Sequence, residues 1–237
     1  SAIRRTRCGG VPPALIEVSV RGPLSYAFGC MSEASDHFDA ADPYRTLGGV
    51  GTSELVVDRS RFLGEARPVE SEEEAERHLE EVRDEHYDAR HVCHGLRVGR
   101  GAQRVDRSND DGEPPRTGGF PIWQVLDGED VTNVLCLVVR YFGGVELGTG
   151  GLTRAYREAA RRAVDDAGIV EVFPEESLTV TVAYEVYDDV EHAVESSECA
   201  RIVSSEFTDR VELELAIHAR ELDSFRERLS GILNRDV

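Results

Sequence analysis

The sequence predicts an α+β protein of two units, and three stretches carry that expectation. "TNVLCLVVRYF", residues 132–142, is a continuous apolar run of the kind that fills a strand buried on both faces of a sheet. A glycine-rich segment and an amphipathic helix follow it directly. After Phe173-Pro174 the pattern changes: "SLTVTVAYEV" and "VELELAIHA" alternate strictly, so each strand has one wet face. The order β-α-β-β-α within about 60 residues there suggests a ferredoxin-like sandwich.

Taken in chain order, residues 1–52 read as a polar, glycine-containing leader, disordered in part. Residues 1–30 hold four Arg and one Glu, the remaining 207 hold 23 Arg and 45 acids, and the single methionine, Met31, falls at the break. We therefore expect translation to start at Met31, with residues 1–30 an over-long reading of the gene or a disordered leader. The first unit then runs over residues 53–173 and the second over 174–237.

"SELVVDRSRFLGEARPV" reads as two short strands. Ser71 and Glu74 form an S-x-x-E capping box that opens a helix over about 72–86. "ARHVCHGLRVG" is strand-like, residues 99–119 are read as a long loop, and "FPIWQVL" is a short helix with a proline in its first turn. From about 151 to 167 a longer helix puts Leu152, Ala155, Tyr156, Ala159, Ala163 and Val164 on one face. Arg154, Arg157 and Arg161 form a stripe on the opposite face, and Gly168 ends the helix. Beyond the boundary, a short helix near 188–198, a strand near 200–207 and a final helix over about 220–233 complete the second unit.

Composition narrows the chemistry. All 27 basic residues are arginine, so a phosphate-loop lysine and a Schiff base are both excluded. Set against 46 acids and a net charge of −19, this composition matches a protein of a salt-loving microbe with a GC-rich genome. In molar salt the Debye length falls to roughly 3 Å, and the acidic surface is screened while staying hydrated. No apolar run reaches the roughly 18 residues that a membrane helix needs. The five cysteines are scattered, odd in number and without a C-x-x-C pair, which points to reduced thiols and a cytoplasmic protein.

The acidic bias is not uniform. Residues 31–88 and residues 171–237 each carry a net −11, whereas residues 89–162 hold 11 Arg against 9 acids, net +2. Arginines kept in that middle region suit an anionic partner through their bidentate fork. Within it lie three stretches able to carry chemistry. The glycine run Gly143-Gly144-Val-Glu-Leu-Gly148-Thr149-Gly150-Gly151 stands after a buried strand and before a helix N-terminus, where an anion is favoured. It is nevertheless neither of the standard nucleotide fingerprints. In "RSNDDGEPPRTGG", Asp110, Asp111 and Glu113 form either ordinary turn chemistry or a Mg²⁺ site. In "HVCH", His91 and Cys93 share one face of a strand while His94 points away, so the three do not gather on one zinc.

At this point the motifs become recognisable. "SNDDGEPPRTGGFPI", followed by "VVRYFGGVELGTGG" and "LTRAY", resembles the IMPACT/YigZ family in its bacterial and archaeal two-domain form. That family typically shows S-S-D-D-G-E-P-S-G-T-A-G-x-P-I and then T-R-Y-F-G-G-x-K-L-G-x-G-G-L-V-R-A-Y. The resemblance implies an N-terminal left-handed βαβ domain of the type found in ribosomal proteins, GHMP kinases and domain IV of elongation factor G. It also implies a ferredoxin-like C-terminal domain similar to that factor's domain V. Family members are linked to translation, and no catalytic residue or cofactor comes with them. The regulation of an initiation-factor kinase by eukaryotic members needs an extra N-terminal domain, and is not carried over. This sequence departs from the pattern at Pro115, Arg116 and Gly118, at Glu146 where the family has lysine, and at Val92 where it has a second histidine.

The resulting expectation is a non-enzymatic, translation-associated regulatory protein that binds the ribosome, RNA or a translation factor. Its surface combines Ser108, Asp110, Asp111, Gly112, Glu113, Pro114 and Thr117 with Arg140, Tyr141, Gly143, Gly144, Gly148, Gly150 and Gly151. Arg154, Tyr156, Arg157 and Arg161 extend it along the helix. The alternative is a metal-dependent hydrolase of a phosphorylated or nucleotide substrate, its metal held by Asp110, Asp111 and Glu113.

Overall fold

The computed structural model describes residues 39–233, so the expectations for residues 1–30 and for a start at Met31 lie outside the described residues. The described chain divides into two compact units, residues 39–172 and residues 173–233. The leader expected to run to residue 52 is shorter than that. Strand β1 (Tyr44–Leu47) pairs antiparallel with β7 (Ile169–Val172), and β2 (Gly51–Val57) already begins the main sheet. Leu47 is buried, so this polar-looking segment contributes to the core through a single side chain, which a periodicity reading does not detect.

The main sheet of the first unit has the order β2-β3-β6-β4-β5, with every neighbouring pair antiparallel. Its other strands are β3 (Ser60–Pro68), β4 (His91–Val98), β5 (Val105–Asn109) and β6 (Val134–Tyr141). The central strand β6 explains the apolar run. Val134, Cys136 and Val138 pack under α2 (Gly119–Gly128) and α3 (Gly148–Ala167), while Leu135, Leu137 and Val139 pack under α1 (Glu72–Glu85). A strand covered on both faces needs apolar residues at every position rather than every second one.

The helix ends follow local chemistry. Ser71 accepts from the Glu74 N–H at the start of α1, and Glu74 reaches back to the Glu70 N–H, one residue before the capping serine. At the end of α3, Gly168 has φ +69, a conformation that costs a residue with a Cβ far more than it costs glycine. The region expected to be one long loop, 99–119, instead contains a short 3-10 turn (Gly101–Gln103) and the edge strand β5. An edge strand tolerates the charged sequence "VDRSN" because one side of it is never covered, and this hid the strand from a hydrophobicity reading.

The second unit has the order β8-β10-β9, built from β8 (Glu175–Val182), β9 (Ala200–Phe207) and β10 (Val211–His218). Helices α4 (Tyr184–Glu195) and α5 (Leu222–Leu233) cover one face. Alternation sends Leu178, Val180 and Val182 of β8, with Leu213, Leu215 and Ile217 of β10, into the core beneath them. The opposite face carries Glu212 directly across from Glu206, and Glu214 held by Ser177 and Ser204.

The glycine hinge shows why glycine is required at its first position. A Cβ on Gly143 would lie 2.1 Å from the Arg59 carbonyl carbon and 2.4 Å from the Ser60 nitrogen, both backbone atoms. Gly144 has open space but φ +85. Gly143→Ala is therefore expected to lower stability by about 1–3 kcal/mol, read from the urea midpoint. An unchanged midpoint would show that the β2–β3 turn yields at no cost.

Candidate functional site

The loop after β5 is held by its own carboxylates. Asp110 accepts from the backbone N–H groups of Arg116, Gly118 and Gly119, which ties the loop to the first turn of α2. Asp111, at φ +44, accepts from the Val92 N–H. Strand β4 completes the fastening: His91 Nδ1 donates to the Asp111 carbonyl, and the Cys93 thiol donates to that of Asp110 at 3.0 Å. "HVC" is thus the anchor of the acidic loop. Burial pushes the Cys93 thiol pKa well above its ordinary value, which keeps it protonated and poorly suited to act as a nucleophile.

Glu113 turns the other way, inward. Its Oε1 accepts from Arg140 Nη1 at 2.5 Å and from the Tyr156 hydroxyl at 2.8 Å, with His91 Nε2 3.9 Å away. Glu113 and Arg140 are 7 % and 5 % exposed, and Tyr156 is fully buried with its ring edge-on to Phe62. The three carboxylates therefore diverge, each committed to a different partner. No group of three or more metal-ligating side chains occurs among the described residues. This arrangement speaks against the alternative of a metal held by Asp110, Asp111 and Glu113, because hydrogen bonding to backbone N–H groups and to Arg140 takes up lone pairs that a cation would need.

The two motifs meet in a cleft of about 460 Å³. Gly112, Glu113 and Pro114 form one wall, and Phe142, Glu146, Leu147, Gly148 and Thr149 form the other. Arg90, just before β4, closes it together with His91 of β4 and Arg140 of β6. No side chain caps the N-terminus of α3, and its first turn holds no acid, so its free N–H groups face an uncompensated end of the helix. Arg90 lies over the Phe142 ring at 5.3 Å. Neither Arg90 nor Phe142 was among the residues expected from sequence; their only signal was adjacency to the two motifs.

Several expected residues lie elsewhere. Tyr141 follows Arg140 on a strand and so faces α1, where its hydroxyl meets His86 Nδ1 at 2.8 Å. Ser108 is exposed on the sheet edge, paired in register with Gly95, and Thr117 is buried, donating to the Pro114 carbonyl. Gly150 and Gly151 lie inside α3, which begins three residues earlier than the periodicity implied. The arginine stripe does not join the cleft. At about 100° per residue, Arg154, Arg157 and Arg161 lie roughly opposite Gly148 and Leu152 on the helix. Arg157 there donates to Gln124 of α2, and Arg161 pairs with Glu158 and Asp165.

Arg116, which replaces a family glycine, keeps the glycine-like φ of +63. That costs on the order of 1 kcal/mol. Its guanidinium, 3.6 Å from the Phe120 ring centroid, offsets the strain by a comparable amount.

Fold and cleft together define a two-domain α+β protein with a cleft lined by charged residues in its N-terminal unit. Comparison with known proteins places it further. Residues 58–164 match the Impact N-terminal domain, and residues 180–234 match a domain of unknown function, DUF1949. The chain is 32 % identical over 176 residues to the IMPACT family member YigZ of Escherichia coli, covering 73 % of this chain and 85 % of that one. It is 29 % identical over 191 residues to the IMPACT family member YvyE of Bacillus subtilis, covering 81 % and 87 %. A crystal structure described as that of a hypothetical protein, 29 % identical, matches with a TM-score of 0.56 over 80 % of this chain and 92 % of that one. The chain belongs to the IMPACT family.

Proposed function

We propose that this is a non-enzymatic regulatory protein of translation that binds the ribosome, RNA or a translation factor through its N-terminal unit. The observation that carries the reading is the position of cations. Arg90, Arg116, Arg154 and Arg157 are all exposed in the one region after residue 30 without an acidic excess, and the two family motifs lie in the same region. The open face of the C-terminal sheet, with Glu206, Glu212 and Glu214, would repel a phosphate backbone and directs such a partner to the other unit. Family membership supports the link to translation. The finer fold assignment belongs to the same proposal: a left-handed βαβ unit like domain IV of elongation factor G, and a second unit like its domain V. The parallel pair β3 and β4, joined through α1 with β6 between them, and the order β8-β10-β9 support it.

The test is co-sedimentation with ribosomes from low to molar KCl. Combining Arg154→Ala, Arg157→Ala and Arg161→Ala should lower the log–log salt slope of binding by about 2 rather than 3, because Arg161 is already neutralised by two acids. Unchanged pelleting at every salt concentration would refute this face.

A further inference from the structure

We propose that the cleft between the two motifs is a binding site for a nucleotide 5′-monophosphate, free or as the phosphorylated end of an RNA. The inference deepens the reading above, and rests on it only for the identity of the larger partner.

The first support is Arg140. Its side chain is 6 % exposed and lines the cleft, and Nη1 is committed to Glu113. Nε is buried without a hydrogen-bond partner. A buried guanidinium N–H left unmatched is costly, and a charged oxygen is its natural complement. The second support is the uncapped N-terminus of α3, whose Gly148 and Thr149 border the same space. Backbone N–H groups at the positive end of this 20-residue helix border the same cleft as the arginine.

Two further features narrow the ligand. Arg140 is balanced by Glu113 and Arg90 by Glu146, so the surplus positive potential comes from the N-terminal end of α3, enough for one phosphate group at most. Glu146 at the same cleft opposes a run of phosphates entering it. This favours a terminal monoester over a continuous backbone or a polyphosphate. Phe142, 42 % exposed with the Arg90 and Arg140 guanidiniums 5.3 and 5.6 Å from its ring centroid, offers exposed aromatic surface against which a base can pack. A cleft of about 460 Å³ is within the size range of small-ligand sites, roughly 300–1,000 Å³.

The experiment uses the full chain and fluorescence anisotropy with two 3′-labelled octaribonucleotides of one sequence, one 5′-phosphorylated and one 5′-hydroxyl. The 5′-phosphorylated strand should bind about tenfold tighter, equivalent to ~1.4 kcal/mol, and adenosine 5′-monophosphate should displace it better than inorganic phosphate. Displacement by the free nucleotide at an affinity equal to that of the oligonucleotide identifies a mononucleotide ligand. A much tighter oligonucleotide identifies an RNA end, and either result supports the site. Arg90→Ala and Phe142→Ala, both at exposed positions and expected to leave the melting curve unchanged, should each reduce the preference to below about threefold. Equal binding of the two strands without competition by the nucleotide overturns the proposal. Inorganic phosphate competing as well as the nucleotide overturns the role given to Phe142. Ribosome pelleting reads the α3 arginine face instead, so failure of that reading and failure of this one are distinguishable.

Discussion

Glu113→Ala should destabilise the N-terminal unit by about 3–5 kcal/mol, the largest single-residue effect that we expect in this chain. Among the described residues the carboxylate is the only side chain that accepts a hydrogen bond from the Arg140 guanidinium, and it also accepts from the buried Tyr156 hydroxyl. Its removal leaves a positive charge and a hydroxyl in the interior with no acceptor and little access to water. Glu113→Gln keeps an oxygen for both donors and should cost much less. Glu113→Leu combined with Arg140→Met should recover most of the loss, because a buried ion pair replaced as a whole is often neutral or stabilising. Trp123, the only tryptophan, lies in α2 and donates to Asp106 at 3.0 Å, so its fluorescence during urea unfolding reports this unit alone. Little loss in the alanine variant, or no recovery in the double variant, would show that the pair is not a coupled buried unit. Salt should change the alanine penalty little, since the pair is sheltered from counterions.

This prediction was not accessible from the sequence, and the reason is physical. Glu113 and Asp110 appear there as members of one acidic turn, and only the φ sequence of the loop sends one into the core and the other to backbone N–H groups. The fold was legible where periodicity reports burial: β6 through its unbroken apolar run, α3 through its i, i+3, i+4 face, and β8 and β10 through strict alternation. It was not legible at β1 and β5, edge segments whose exposed sides allow almost any residue. The two motifs were legible as a pair because the family resemblance carried them. Their meeting with Arg90 and Phe142 depends on contacts between residues as much as 52 positions apart in sequence, and local patterns do not encode these. The stripe of arginines shows the opposite error: helical spacing placed it correctly on one face, but not on the face that borders the cleft.

His94 should dominate the acid limb of stability that can be traced to one residue. It points from β4 to the α1 side of the sheet, where Nδ1 is buried without a hydrogen-bond partner. Burial, with the Arg83 guanidinium adding to it and Asp111 opposing both, lowers its pKa from 6.5 to about 4. The unfolded chain therefore takes up a proton near pH 6.5 that the folded chain refuses until about pH 4. This contribution is fully present above pH 6.5 and is lost as pH falls through that window, reaching about 3 kcal/mol at its acid end. His94→Leu removes the titrating group and the unmatched ring nitrogen together. Carboxylates titrate in the same range, so the informative quantity is the difference between wild type and variant at each pH. That difference should turn in favour of the variant by about 1.4 kcal/mol per pH unit below 6, with no slope above 7. A difference that is flat down to pH 4 would mean that His94 finds solvent or an acceptor as it protonates, and that the α1 face of the sheet opens more readily than its packing implies.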